Sequence, residues 1–435
     1  MSGLARIYLD RGCRISGSDL NHNRLTDFLR NKGAVIYRGH DPSNIPEDSA
    51  FVVKSTCIRD NNPEIIRSKE LGIPVILRGE LLERTLNLFT RSFAVTGTHG
   101  KTTTSSLIAH ILERTGMDPT VLVGGEVSTF KGNAKTGKSG YFVAEVDESD
   151  GYFRNLSSRY AVITNIEREH MEYYASMRNL KDSYGRFIDN IPEGGILAVN
   201  GEDATIKEVL QGRNTDTVTF GIDGGHDVTC GDLSFAENID FELIINGFSR
   251  GRINSALIGR YNVMNILAAM AVLCTTGLNI DKVKEAVSSF PGVKRRFEKI
   301  GKIGNIEVVE DYAHHPTEIK SVIQAASRYA AGRVITVFQP HRYSRTVDLL
   351  EEFKECFYDT DLLVLTDIYS AHEDRIEGIS AGKLFEGMRI GKNGGVNFLA
   401  KDSIPRFLAD KVKDGDIILI LGAGDIRDIG PAVVE

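Results

Sequence analysis

The sequence is poor in the features that mark several classes of protein. Its cysteines, Cys13, Cys57, Cys230, Cys274 and Cys356, are odd in number and include no C-x-x-C pair. Neither a disulfide framework nor a zinc knuckle is therefore expected, and free thiols in a reducing compartment fit better. Long apolar runs are missing as well. The longest, Ile266 to Cys274, falls far short of the roughly 20 residues a membrane helix needs, so no membrane insertion is expected. Positive charge is not in excess: the formal net charge is −7, which gives no general field to draw nucleic acid or an anionic membrane. Any phosphate must be held locally. No repeat period, low-complexity tract or signal-peptide pattern is read, and the expected location is cytoplasmic.

What is present is an ordinary globular mixture, 41% hydrophobic and 26% charged with Gly in excess at 43 residues, which argues against extensive disorder. At roughly 150 residues per domain, 435 residues suggest two or three domains. Short β-branched runs alternate with helical patterns almost throughout, the pattern of parallel sheets with crossover helices, so the fold class is α/β. In 1–90, strands are expected near Arg14–Ser16, Val35–Tyr37, Phe51–Val53 and Val75–Leu77, with helices near Leu25–Asn31 and Pro63–Leu71. The chain opens on a helical pattern, Ser2 to Leu9, where a βαβ unit would begin with a strand and a turn. The first strand and its phosphate-facing loop are expected upstream of residue 1. A central segment, 91–293, carries expected strands at Phe93–Thr96, Tyr141–Val146, Tyr160–Thr164 and Ile196–Val199, a β-rich stretch and an apolar helix from about Asn262. Pro291-Gly292 marks a joint, and 294–435 carries strands at Ile306–Glu310, Val334–Phe338, Leu362–Leu365 and Ile417–Leu421.

The strongest local signal is Thr96-Gly97-Thr98-His99-Gly100-Lys101-Thr102-Thr103-Thr104, between a short strand and a helix expected over Ser105–Arg114. It resembles a P-loop. Gly97 and Gly100 let backbone N–H groups turn toward a phosphate, the helix N-terminus adds positive potential, Lys101 reaches the β/γ oxygens, and Thr102 would ligate Mg²⁺. The full spacing is not met, because Val95 stands six before Lys101; a threonine-capped glycine turn is the plain alternative. Such a loop is expected to be exposed. Further metal ligands should come from neighbouring strand ends: Glu145, in the run to Asp147-Glu148, and His170, beyond Thr164-Asn165-Ile166-Glu167. Glu148 is the alternative to Glu145, and a solvated acidic strand end the alternative to both.

These motifs, with Gly259-Arg260-Tyr261-Asn262-Val263-Met264-Asn265, Arg295-Arg296-Phe297, Asp311-Tyr312-Ala313-His314-His315-Pro316-Thr317-Glu318 and Gln339-Pro340-His341-Arg342-Tyr343-Ser344-Arg345, occur in the order of the Mur ligases. The resemblance spans essentially the whole chain. It implies an ATP- and Mg²⁺-dependent amide ligase of three domains: a truncated Rossmann-like N-terminal domain for a UDP-sugar, a central P-loop domain with a parallel sheet for ATP, and a Rossmann-like C-terminal domain. The third-domain motifs resemble the branch that joins L-alanine to UDP-N-acetylmuramic acid, rather than the branch that attaches a ready-made tripeptide. A P-loop switch and an inactive remnant are the competing classes.

By the same resemblance, Gly97, Thr98, His99, Gly100, Lys101, Thr102 and Thr103 would hold the ATP phosphates, while Thr102, Glu145 and His170 hold metal. Asn262, Asn265, Arg296 and Asp311 would contact the nucleotide, and His341, Arg342 and Arg345 would meet a substrate carboxylate or phosphates. Lys181 falls where some relatives carry a carbamylated lysine and is read as an ordinary surface lysine. Asp19 is either a reader of a ligand hydroxyl or a turn former. His314 and His315, before the helix that starts at Pro316, are read either as taking a direct catalytic role or as neighbours of a helix start that Thr317 or Asp311 could equally cap. Tyr369 and Glu373 match a family signature with no derivable role.

Overall fold

The computed structural model describes residues 1–434 apart from 22, 236–237, 383–385, 387 and 389–394. The chain divides into two compact units, Met1–Val228 with Leu267–Ala286, and Thr229–Ile266 with Val287–Glu435.

The first unit begins with the helix Ser2–Asp10, which buries Leu4 and Ile7. Strand β1 (Ser16–Asp19) pairs in parallel with β2 (Val35–Arg38), and β3 (Val52–Lys54) with β4 (Val75–Leu77). The two pairs form separate sheets, so the expected N-terminal Rossmann-like sheet is not continuous among the described residues. A larger sheet follows, built from β5 (Arg91–Thr96), β6 (Thr120–Val127), β7 (Gly132–Lys135), β8 (Tyr141–Glu145), β9 (Tyr160–Ile163), β10 (Ile196–Asn200) and β11 (Thr217–Phe220) in the order β11-β10-β9-β5-β8-β6-β7. Every pairing is parallel except β6 with β7. Strand β5 lies in its interior, where Phe93, Ala94 and Val95 are wholly buried, as a parallel strand covered on both faces requires. The helix Lys101–Arg114 is buried from Thr102 to Leu112, which is why its sequence shows little amphipathic pattern.

The second unit holds β12 (Val228–Ser234), most of which lies past the division, and the antiparallel pair β13 (Ile239–Ile245) and β14 (Phe248–Ser255). Its main sheet is β15 (Glu298–Ile303), β16 (Ile306–Asp311), β17 (Val334–Phe338), β18 (Leu362–Leu365), β19 (Gly395–Phe398) and β20 (Ile417–Leu421), ordered β15-β16-β20-β17-β18-β19 and parallel except at β15. Side chains alternate across it. Leu419 and Leu421 join Ile319, Ile323 and Phe353 in one core, while Ile418 and Ile420 join Ile404, Leu408 and Ile426 in the other. Helices therefore cover both faces. Among the described residues no helix is long and apolar enough to cross a membrane.

Candidate active site

In an open parallel sheet, ligand sites form beyond the carboxyl ends of the strands. The order β9-β5-β8 places three such ends side by side: the phosphate loop after β5, the acidic run after β8 and the 164–170 segment after β9. Both glycines of the loop are required by geometry. Gly97 has φ 129°, and a Cβ there would lie 2.1 Å from Thr164 Oγ1; Gly100, at φ 82°, is the left-handed residue from which the helix starts.

The loop is fastened to the segment after β9. Thr98 N–H donates to the Asn165 carbonyl at 3.0 Å, His99 N–H to Asn165 Oδ1 at 2.8 Å, Glu167 N–H to Thr98 Oγ1 at 2.8 Å, and the Thr164 hydroxyl to the His99 carbonyl at 2.6 Å. That segment is itself anchored by Asp203, whose Oδ2 accepts from Ile166 N–H at 2.9 Å while Oδ1 accepts from Ile206 N–H at 3.0 Å, at the start of the helix Ala204–Leu210. Thr164-Asn165-Ile166-Glu167 thus acquires a physical role, holding the phosphate loop in shape.

The expectation of an exposed loop is corrected here. Gly97, Thr98, Thr102 and Thr103 are buried and His99 and Lys101 half-buried, because the neighbouring strand ends cover them. Lys101 Nζ lies 3.0 and 2.9 Å from the two Glu148 oxygens and donates to the Gly97 carbonyl at 2.6 Å. Burial alone would lower the Lys101 pKa, but Glu148, Asp147 and Glu145 outweigh it and hold the ammonium. Burial pushes the Glu148 carboxyl up despite Lys101. His170 is lowered by burial and raised more by Glu172, Glu148, Glu169 and Asp147, with a net upward shift.

Ligating atoms of Asp147, Glu148 and His170 lie within 4.8 Å of one another. Glu145 stands beside them, accepting from the Thr102 hydroxyl at 3.1 Å and from Gly124 N–H at 2.6 Å. The structure therefore brings Glu145 to Thr102, and Glu148 to His170 and Lys101. The hydroxyl and carboxylate oxygens gathered beside the loop fit a hard divalent cation such as Mg²⁺, with the His170 imidazole the one softer donor in the group.

A cavity of about 270 Å³ opens onto this group, lined by Ser55, Thr56, Arg78, Gly124, Glu145 and Asp147 among others. Arg78 was not singled out by the sequence. The available signal was its position directly after β4, where strand ends face ligands in such folds. Asp19 is exposed and accepts from Asn21 N–H at 3.0 Å, the turn-forming use. Lys181 is ion-paired with Glu208.

In the second unit, Asn262 and Asn265 are buried in the first turns of the helix Arg260–Leu273; Asn265 Nδ2 donates to Asn262 Oδ1 at 2.9 Å, and Asn262 Nδ2 to the Ile258 carbonyl at 2.8 Å. Asp311, at the end of β16, accepts from Phe297 N–H and Ala313 N–H, each at 2.7 Å. Burial pushes its carboxyl up to about 6, although Arg296 and these donors oppose that. Arg296 lies over the Tyr312 ring and 3.6 Å from Glu318. The cap of the helix Pro316–Tyr329 is His315, whose Nδ1 accepts from Thr317 N–H, not Thr317 or Asp311.

His341, Arg342 and Arg345 are gathered after β17. Arg345 donates to the His341 carbonyl at 3.1 Å, and His341 stacks on Tyr369 with ring centres 5.6 Å apart. Arg342, at φ 73°, begins the short helix Tyr343–Asp348, where Glu373 accepts from Ser344 N–H at 3.1 Å and the Ser344 hydroxyl at 2.6 Å. Tyr369 and Glu373 thus have a use the sequence did not disclose: they hold the arginine-bearing turn.

Comparison with known proteins gives a consistent result. Three family models match: the Mur ligase family catalytic domain at residues 1–90, the Mur ligase middle domain at 95–273, and the Mur ligase glutamate ligase domain at 295–424. The chain is 41% identical over 435 residues to the UDP-N-acetylmuramate–L-alanine ligase of Carboxydothermus hydrogenoformans, covering 99% of this chain and 93% of that protein. With the enzyme of the same name from Geobacter sulfurreducens it shares 40% over 436 residues, 99% of this chain and 94% of the relative. Among solved structures, the UDP-N-acetylmuramate–alanine ligase MurC of Thermotoga maritima superposes with a TM-score of 0.82 at 28% identity, covering 100% of this chain and 95% of that one. A murein peptide ligase from Psychrobacter arcticus, at 23% identity and TM-score 0.72 over 100% of this chain and 95% of its own, shares the fold.

Proposed function

The chain belongs to the Mur ligase family, and from that premise we propose that it joins L-alanine to the lactyl carboxylate of UDP-N-acetylmuramic acid in an ATP-dependent reaction, a step of peptidoglycan precursor synthesis. The observation that carries the reading is the group formed by Lys101, Glu148, His170 and the Thr102–Glu145 pair at one end of the sheet, in a chain aligned nearly end to end with L-alanine ligases. Under this reading residues 1–90 hold the UDP-sugar, 91–293 the ATP phosphates and Mg²⁺, and 294–435 close the ligase.

A carboxylate and an amine do not condense in water, because the carboxylate is a poor electrophile. The lactyl carboxylate oxygen attacks the γ-phosphorus of ATP, the bond from that phosphorus to the β,γ-bridging oxygen breaks, and ADP departs, leaving an acyl phosphate. The neutral amine of L-alanine then attacks the acyl carbon. Phosphate leaves, the amine nitrogen gives up its proton, and the amide remains. The backbone N–H groups of 100–102, at the start of the helix, cradle the phosphates, and Lys101 exchanges Glu148 for phosphate oxygens. Thr102, Glu145 and His170 are the residues that would hold Mg²⁺, with Glu148 beside them. Bound there, Mg²⁺ would offset charge on the transferring phosphoryl group. Asn262, Asn265, Arg296 and Asp311 are assigned to the nucleotide, and His341, Arg342 and Arg345 to the carboxylate of L-alanine or the substrate phosphates.

The test is phosphate release by the purified protein with each component withheld in turn. Release that requires ATP, Mg²⁺, UDP-N-acetylmuramic acid and L-alanine together is the expected result. ATP hydrolysis that continues undiminished without the sugar nucleotide or the amino acid would instead mark a nucleotide switch.

A further inference from the structure

The first chemical step brings a carboxylate to a region that already carries Glu145, Asp147, Glu148 and Asp150, while Lys101 is engaged by Glu148 and, under the function proposed above, by phosphate. An anion cannot settle there without a further cation. The cavity that opens onto the group supplies one: Arg78 lines it together with Ser55, Thr56, Glu145 and Asp147. Its side chain is half-buried, and among the described residues no carboxylate pairs with it.

Arg78 is also poorly placed for stability. It is the first residue of the helix Arg78–Leu86, whose cap, Leu77, offers no side-chain acceptor. A cation at a helix N-terminus opposes the helix dipole, and residues that break a local rule without compensation concentrate at functional sites. The turn that carries Arg78 is nonetheless held firmly. Gly79 packs so closely on the Tyr152 ring that a Cβ would lie 2.6 Å from it. The Tyr152 hydroxyl donates to Glu83 of the same helix at 2.7 Å, and Tyr152 N–H donates to Asp150 at 3.0 Å. The start of the helix is thereby pinned to the acidic segment after β8, so the backbone that carries Arg78 is held at the edge of the cavity that Arg78 lines.

We propose that Arg78 is a substrate-binding residue that receives the lactyl carboxylate of the UDP-sugar and holds it for attack on ATP. A planar guanidinium matches a carboxylate in two parallel hydrogen bonds, and such a grip leaves the attacking oxygen on a defined side. The inference rests on the function proposed above, and its test separates the two. Binding of UDP-N-acetylmuramic acid and of UDP-N-acetylglucosamine, which lacks the lactyl ether, is measured by calorimetry for the unaltered protein, Arg78→Gln and Arg78→Lys, with MgATP binding as the control for folding.

The expected result is that Arg78→Gln weakens UDP-N-acetylmuramic acid roughly 10- to 100-fold but leaves UDP-N-acetylglucosamine and MgATP unchanged. Arg78→Lys, a point charge without the fork, should recover part of the loss in affinity and less of the turnover. Equal weakening of both sugar nucleotides would place Arg78 on the diphosphate and overturn the assignment, as would no weakening of either. If an altered MgATP affinity betrays a disturbed fold in Arg78→Gln, restored turnover of Arg78→Ala by added guanidinium decides the matter, and its absence counts against the proposal. Failure of the unaltered protein to bind UDP-N-acetylmuramic acid would refute the functional reading instead.

Discussion

Lys101 is paired with Glu148, a carboxylate only 2% exposed, so truncating it strands a buried charge and, under the proposed function, also removes a charge that acts in catalysis. The two effects separate. Loss of a group that stabilises the transferring phosphoryl should lower turnover of Lys101→Ala by at least about a thousandfold, about 4 kcal/mol. Leaving one partner of a buried pair uncompensated costs about 3–5 kcal/mol of stability, an upper figure here because Glu148 can take up a proton and is already pushed in that direction. Adding Glu148→Gln to Lys101→Ala should return most of the lost thermal stability and none of the turnover. Melting temperatures of the two proteins decide it, and identical values would mean that the pair contributes nothing to the fold. That Lys101, Thr102 and His170 would stand near one another at the strand ends could be read from the sequence because each lies in or beside a contiguous motif; their roles are those of the proposed function. Arg78, Asp203 and Tyr152 could not, because their roles depend on which strand ends are neighbours, and the order β9-β5-β8 is a property of the sheet.

The elements themselves differ in how openly the sequence declares them. Val75–Leu77, Val334–Phe338, Leu362–Leu365 and Ile417–Leu421 coincide with observed strands because each is a β-branched or leucine-rich run, and the last three are buried on both faces. Strands β6 and β7 were not visible: the first opens on the strand-forming run Thr120–Val123 but is broken by Gly124-Gly125, and the second reads Gly-Asn-Ala-Lys, with neither alternation nor β propensity, so its pairing is stabilised by neighbours instead. The edge strand β15, with its lysines and glycine, was missed for the same reason. The helix Lys101–Arg114 starts before the expected Ser105 because the phosphate loop feeds straight into it. Its burial also creates a pH dependence. His110 is inaccessible in that helix, shares a 2.9 Å hydrogen bond with Thr129, and is lowered to about 4, chiefly by burial and then by Arg114. In the unfolded chain its pKa is 6.5, so between about 6.5 and about 4 the unfolded state binds the extra proton. Stability from this residue is complete above 6.5 and is lost as pH falls through that window, on the order of 3 kcal/mol in all. His110→Gln, which does not titrate, should show a flatter decline in melting temperature from pH 7 to pH 4.5, whatever its offset at pH 7. Parallel curves would exclude His110 as the source.

At the scale of the whole molecule, the charge of −7 means that anionic substrates gain nothing from the overall field and must be selected by local cations. That bears on which amine donor the enzyme accepts. L-Alanine presents a free α-carboxylate two bonds from its attacking nitrogen, whereas in a tripeptide the N-terminal residue has an amide in that place. Arg345 is 8% exposed and held by the His341 carbonyl, and the turn bearing Arg342 is clamped by Glu373, so these guanidinium groups are fixed in position. If they receive the carboxylate of alanine, a donor that presents an amide there forfeits the charge-assisted contact, and sites built to bind a polar group discriminate by factors of up to about 10⁴–10⁵. Glycine keeps the carboxylate and lacks only a methyl group, a difference worth about 10- to 200-fold. The expected order in kcat/KM is therefore L-alanine, then glycine within about two powers of ten, then the tripeptide at least about a thousandfold below alanine. Arg345→Ala should compress that range by slowing alanine far more than the tripeptide. Competition assays with labelled alanine measure the ratios directly, and a protein that used the tripeptide as readily as alanine would belong to the peptide-attaching branch of the family.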